Sequence, residues 1–277
     1  MKERFLYVHR KCDIGLLPVF WLVILILFSV SAVGQSAELL VLYPEVRVPF
    51  SKIFEDNSAG AEEQFEGDFS SVALNQESAI EKLIAQKKPD VVLALGRRSL
   101  ERLNSTGSEA PVVLGAVSSY QNVYPGISMI PDPRVILSKL VLLSPDVNEV
   151  QVVKKSRGPD MQLVGAKEYL GRLGKKLVVH ESSSLRDAAR IYATLIDETG
   201  GGEAIWILQD GSFVSGAILS LLLDAAWNKH LVVFSSNPIH VKHGALFAVY
   251  PDNRRMGESL AKLASMLLKH SLEPGLT

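Results

Sequence analysis

From Leu39 onward the chain alternates short, continuously apolar runs with longer segments in which apolar residues recur three and four positions apart. The short runs are β-rich: Leu39–Leu42, Ser71–Leu74, Val91–Leu95 and Val112–Val117, then Val150–Val153, Leu177–Val179, Ala204–Leu208 and Leu231–Phe234. Apolar residues at consecutive rather than alternate positions predict strands of a parallel sheet covered on both faces. Between the runs, Leu185, Ala188, Ala189, Tyr192, Leu195 and Ile196 trace one buried helical stripe. Met256, Leu260, Leu263, Ala264 and Leu267 trace another near the C-terminus. Strand–helix alternation on this scale predicts doubly wound parallel sheets.

These units are too many for one small sheet, and the pattern restarts midway. The first set ends with the Pro111–Ser118 run. Tyr124-Pro125-Gly126, a strand-like Ile127–Ile130 and the turn Pro131-Asp132-Pro133 follow. The second set ends near Phe247, which leaves the helix after Tyr250-Pro251-Asp252 without a strand of its own. That helix is expected to return to the first lobe. Two lobes so linked enclose a cleft, and ligands of such sheets sit at the C-terminal ends of strands.

The N-terminus reads differently. Lys2, Arg4, Arg10 and Lys11 precede an apolar run from Ile14 to Val33, and small residues follow it. This is the layout of a secretory signal peptide, with cleavage expected after Ala32-Val33-Gly34 or after Ala37. The run is also just long enough to span a bilayer, so an uncleaved anchor stands beside the cleaved leader. Cys12, the single cysteine, lies before the run, where a lipoprotein signal does not place it. Without residues 1–34 the chain has no thiol for a disulfide and must rest on a packed core. The formal net charge of −1 gives no basic field for nucleic acid or anionic lipid.

Four motifs in order carry a family resemblance. Asp90-Val91-Val92-Leu93-Ala94-Leu95-Gly96 leads into a helix. Pro111-Val112-Val113-Leu114-Gly115-Ala116-Val117-Ser118 leads to Pro125-Gly126-Ile127-Ser128. Ile207-Leu208-Gln209-Asp210 precedes a helix, and His243-Gly244-Ala245-Leu246-Phe247-Ala248-Val249-Tyr250 is followed by Met256-Gly257. Over nearly all of residues 38–270 the chain resembles the ABC-transporter substrate-binding proteins of the type that includes tryptophan- and tyrosine-binding members. The resemblance implies a type I periplasmic-binding-protein fold: two Rossmann-like, doubly wound α/β lobes with a ligand cleft between them. Lobe one is expected at 38–130 plus 248–277, and lobe two at 131–247. The implied partners are a small, often amino-acid-like ligand and a membrane permease. A membrane sensor that reports occupancy without transport is the alternative. Neither cofactor nor nucleic acid is expected, and the protein is expected to be a periplasmic monomer or weak dimer that performs no chemistry. The chain departs from the family in two places. Tyr43–Phe69 is short where relatives carry a helix-bearing stretch, and Lys154-Lys155-Ser156-Arg157 stands where relatives often have a Tyr-Asn pair.

Several strand ends offer ligand contacts. Gly96-Arg97-Arg98-Ser99 opens a helix, where backbone N–H groups and a guanidinium suit an anion. Solvated surface arginines are the plainer reading. Ser118 and Ser119 end the neighbouring strand and can donate to a carboxylate; a polar loop serves equally. Asp210 can pair with a ligand amine or cap the following helix, and the family resemblance, which implies an acid at this turn, favours the ligand. Ser235, with Ser236 and Asn237, ends the last strand, and Tyr43 with Pro44 can wall the cleft. An ordinary surface loop explains either group as well. His230, His240 and His243 lack the convergent partners a zinc site needs and read as surface histidines, so no metal is expected. The sequence contains no G-x-S-x-G elbow and no Gly-Lys-Ser/Thr phosphate loop.

Overall fold

Two parallel sheets of matching strand order organise the chain in a computed structural model that describes residues 36–117, 124–156, 160–198, 200–209 and 213–272. The first sheet holds β1 (Glu38–Pro44), β2 (Asp68–Leu74), β3 (Val91–Leu95), β4 (Val112–Val117) and β5 (Gly126–Ser128) in the order β2-β1-β3-β4-β5. The second holds β6 (Glu149–Lys155), β7 (Lys176–Ser182), β8 (Glu203–Ile207) and β9 (Val232–Ser235) in the order β7-β6-β8-β9. Every described pairing is parallel. In each sheet the chain winds outward in both directions from its first strand. The order therefore reverses between β1 and β3, and again between β6 and β8.

The continuous apolar runs are buried on both faces, as parallel strands between helices require. Leu39, Val41, Val91, Leu93 and Val113 meet helices α1 (Ser51–Gln64) and α9 (Asn253–Leu272) on one face. Leu40, Leu42, Val92, Ala94 and Leu114 meet α2 (Ile80–Lys87) and α3 (Arg97–Asn104) on the other. In the second sheet Val150, Val152, Trp206 and Phe234 pack on α4 (Pro133–Leu143) and α5 (Met161–Arg172). Val153, Ile205, Ile207 and Val233 pack on α6 (Leu185–Glu198) and α7 (Gly216–Lys229).

The chain passes between the sheets twice. After β5, Asp132 caps α4 by accepting the Arg134 N–H at 2.8 Å. The return passes α8 (Pro238–Lys242) and runs beside β9, where Leu246 N–H donates to the Val233 carbonyl and Val249 N–H to that of Ser235. It then enters α9, which packs on α1 and against β3, β4 and β5.

The stretch after β1 departs from expectation: it carries the 14-residue helix α1. Its buried residues are Asn57, Ser58, Gly60 and Ala61, so no apolar stripe marks it in sequence. Small residues face inward because α9 crosses close by. A Cβ on Gly60 would lie 2.0 Å from the Arg254 carbonyl oxygen, and one on Gly257 would lie 2.0 Å from that of Asn57.

Candidate functional site

The reversal of strand order leaves a crevice at the C-terminal ends of β1 and β3, the usual ligand position in an open α/β sheet. Tyr43 and Pro44 end β1. Tyr43 is half-buried, and its ring stacks on Phe54 of α1 with centroids 6.3 Å apart. Gly96 ends β3 at a φ of +80°, donates its N–H to the Gly115 carbonyl at 2.8 Å, and forms the N-cap of α3. Only glycine suits this turn: the left-handed backbone disfavours a side chain, and a Cβ would meet the Phe54 ring at 3.2 Å.

Two open compartments flank the turn. The first, about 350 Å³, is bounded by Pro44, Val46, Phe54, Gly96, Arg97, Arg98, Ala116 and Val117. The second, about 440 Å³, lies toward β2 between Pro44, Glu45, Leu74, Asn75, Gln76, Arg98, Ser99 and Arg102. Arg97 and Arg98 are both exposed, and Arg98 borders both compartments. It has no ion-pair partner among the described residues. Arg102 donates to the carbonyls of Asn75 and Ser78, which fixes its guanidinium against the β2–α2 loop. Ser99 is fully buried, and its hydroxyl has no hydrogen-bond partner among the described residues. Ser118 and Ser119 lie outside the described residues.

The equivalent crevice of the second sheet lies at the ends of β6 and β8. Lys154 is only 8% exposed. Its ammonium sits 3.0 Å from Glu181 Oε1, and Ser156 Oγ donates to Glu181 Oε2 at 3.0 Å. These bonds, that from Lys154 first, hold the Glu181 carboxyl below the usual carboxylate range. After β8, Gln209 carries a buried side-chain carbonyl with no partner among the described residues. Asp210 lies outside them. The cap alternative for Asp210 gives way to Ser215, which is the N-cap of α7 and accepts the Ile218 N–H at 3.3 Å.

Ser235 does not present a hydroxyl to the crevice. It is fully buried, its Oγ lies 2.7 Å from His240 Nδ1, and it accepts the Asn237 N–H at 3.0 Å. The corner that follows is self-satisfied too: Ser236 Oγ accepts from Trp206 Nε1 at 3.1 Å, and Asn237 caps α8. His240 is likewise no surface histidine, since its ring is enclosed at this corner. Among the described residues no three His, Cys, Asp or Glu side chains group as metal ligands.

Burial, and then the neighbouring His243, pushes the His240 imidazole below its ordinary value of 6.5. Native His240 therefore stays neutral at pH values where the unfolded chain protonates it. Its contribution is complete above 6.5 and falls as the pH drops below that, levelling off at the lowered folded value. The slope is at most about 1.4 kcal/mol per pH unit. His180 shifts the same way through burial, opposed by Glu149. Urea midpoints at about pH 7.5 and pH 5.5 should therefore drop less in His240→Gln than in wild type; equal drops would mean that His240 titrates normally in the native state.

Sequence reading placed Tyr43, Gly96, Arg97 and Arg98 at this crevice; the structure sets Gly96, Arg97 and Arg98 around the first compartment, whereas Tyr43 lines neither compartment and stacks on Phe54. Phe54 was hidden with its helix. Ser99 was visible three residues after Gly96, the spacing that turns a first-turn side chain back toward its own helix start.

Two parallel sheets of like strand order, each with a reversal point and connected by two crossing segments, define a type I periplasmic-binding-protein fold. The structure is similar to a ligand-free, open substrate-binding protein with adhesive properties from Clostridium difficile (TM-score 0.62, 14% identity, 84% of this chain and 85% of that one). It is also similar to an ABC domain in complex with L-Trp from Streptococcus pneumonia (TM-score 0.52, 17% identity, 84% and 85% covered). A LacI family transcriptional regulator from Mycobacterium smegmatis shares the fold as well (TM-score 0.51, 15% identity, 83% and 90% covered). The chain belongs to the ABC transporter substrate binding protein family, whose profile matches residues 55–274. That is a family of binding proteins rather than enzymes, acting with a small-molecule ligand and a membrane transporter. No curated protein is significantly similar in sequence. Among the described residues no helix is long and apolar enough to cross a membrane.

Proposed function

We propose that the chain is the solute-binding component of an ABC-type uptake system, holding a small amino-acid-like ligand between its two lobes in the periplasm. Residues 38–130 with 248–277 form one lobe in this reading, and 131–247 the other. The observation that carries it is the pairing of equivalent crevices. The turn after β3 offers Arg98 and the buried Ser99 hydroxyl, and the turn after β8 offers the buried Gln209 carbonyl, all without partners among the described residues. Polar groups so placed are rarely left unmatched unless something else completes them. Arg97 and Arg98 suit an anionic group of the ligand. Asp210, next in sequence to Gln209, suits a cationic one. Lys154 does not compete on the second lobe, because Glu181 neutralises it. A ligand bridging the lobes favours the closed form, and so couples occupancy to the shape that a permease reads. The basic head and apolar run before residue 34 support export as a cleaved leader.

Calorimetry on wild type and Asp210→Ala with the co-purifying solute tests the assignment. A solute bearing an amine should bind the variant about 10- to 150-fold more weakly, the equivalent of about 1.5–3 kcal/mol for a charged hydrogen bond. One lacking an amine should bind both alike. Equal affinities for the amine-bearing solute would place its ammonium elsewhere.

A further inference from the structure

The two crossings between the sheets carry the same short pattern. Ile130-Pro131-Asp132-Pro133-Arg134 leads from β5 into α4, and Tyr250-Pro251-Asp252-Asn253-Arg254 leads from the segment beside β9 into α9. Pro-Asp recurs elsewhere, at Pro89, Pro145 and Pro159, but only the crossings place an arginine two residues after the aspartate. Each crossing is held on both sides. Before the first, Met129 N–H donates to the Val117 carbonyl at 2.9 Å and Ile130 N–H to Ser128 Oγ at 3.0 Å, so the first sheet keeps the chain to that point. After it, Asp132 Oδ1 accepts the Arg134 N–H at 2.8 Å and the carboxylate pairs with the Arg134 guanidinium, which fixes the start of α4. Before the second, Leu246 and Val249 donate to β9 carbonyls at 2.8 and 3.1 Å, so the chain stays with the second sheet through Val249. After it, Asp252 Oδ1 accepts the Arg255 N–H at 3.1 Å, and Arg254 pairs with Glu63 of α1, which fixes the start of α9 on the first sheet. Between these anchors, the backbones of Pro131, Tyr250 and Pro251 make no hydrogen bond among the described residues. Proline explains both gaps: it has no N–H with which to extend a sheet, and it turns the residue before it away from helix.

We propose that these two Pro-Asp segments are the pivots on which the lobes close. The second sheet with its helices, through Val249, then moves as one body against the first sheet with α9. Proline fixes its own φ, so the rotation falls on a few backbone torsions, chiefly ψ of Ile130 and Pro131 in one crossing and of Tyr250 and Pro251 in the other. Two separate pivots define one axis, so the lobes open and shut without twisting on each other. Asp132 and Asp252 act as positioning residues. Each anchors the helix on the far side of its pivot, one on each lobe, and so confines the bend to three residues. The inference rests on the two lobes of the proposed function but not on its solute.

The test is pulsed electron–electron resonance on the full chain, dialysed free of small molecules, with spin labels on cysteine pairs in a Cys12→Ser background. Lys82→Cys on α2 and Arg186→Cys on α6, both exposed positions, report the distance between lobes. Arg186→Cys with Leu246→Cys reports within the second lobe, close to its pivot. Pro131→Gly and Pro251→Gly together should widen the inter-lobe distribution, because glycine frees both dihedrals. Asp132→Ala with Asp252→Ala should widen it too, since the two helix starts lose their acceptors. In both variants the distribution between positions 186 and 246 should keep its wild-type width. Pro145→Gly, at an exposed Pro-Asp inside the second lobe, should change neither distribution. An inter-lobe width equal in wild type and in the double glycine variant would overturn the proposal. So would an equal widening in Pro145→Gly, which would mean general loosening. Widening between positions 186 and 246 would put the second pivot before Val249 and overturn it as well. The measurement needs no solute, so its failure leaves solute binding standing, and a chain that binds no solute leaves the pivots standing.

Discussion

Replacing Trp206 with alanine is expected to destabilise the protein by about 3–5 kcal/mol, the range for deleting a large buried aromatic side chain. Trp206 lies on β8 and is fully buried. Its ring stacks on Phe234 with centroids 6.0 Å apart, and Phe234 stacks on Phe247 at 5.3 Å. Phe247 belongs to the segment that returns to the first sheet, so the column of rings ties β8 to that crossing. The substitution opens a cavity, ends the stack and removes the Nε1–H donor that Ser236 accepts at 3.1 Å. Trp206→Phe keeps most of the apolar volume and should lose no more than about half as much. Denaturant titration of both variants checks this. A loss below about 1 kcal/mol for Trp206→Ala would mean that the column is not part of the cooperative core.

A smaller change should act nearly as strongly at the crossing of α1 and α9. Alanine normally stabilises a helix over glycine by about 1 kcal/mol. At Gly257 the sign should reverse, with a net loss of about 1–3 kcal/mol from overpacking. The added carbon would lie 2.0 Å from the Asn57 carbonyl oxygen and 3.0 Å from the Ala61 nitrogen. Both are helix backbone and cannot rotate aside, so the helices must separate. Gly60 makes the reciprocal approach to Arg254, which leaves little room for a compensating slide. Gly171 in α5 serves as the control, since a Cβ there meets nothing within 4 Å. Gly171→Ala should be neutral or mildly stabilising. Equal effects at the two glycines would show that propensity, not the crossing, decides.

The strands were legible because burial on both faces writes an unbroken apolar run, and Val91–Leu95 and Val112–Val117 coincide with β3 and β4. Helix α1 was not, because the close approach of α9 demands small and polar residues where a stripe would otherwise show. The strand-end rule located Gly96, Arg97 and Arg98, whose backbone turn is itself the feature. It failed for Ser235, because it says where a residue falls and not which way its side chain turns. His240, five residues on, draws that hydroxyl inward through a contact with no sequence period. Lys154 was visible as a departure from the family. Its partner Glu181 emerges only from the register that sets β6 against β7. The isolated hydroxyl of Ser99 was illegible for the same reason: an absent partner is a property of the packed interior.

The central claim, that this chain carries a small solute, is tested most directly by native mass spectrometry of the full chain purified from expressing cells without denaturant. The account predicts a fraction heavier than the bare chain by one small molecule, released on unfolding, whose return raises Tm. A uniformly bare chain whose Tm does not respond to the pooled small solutes of those cells would contradict it.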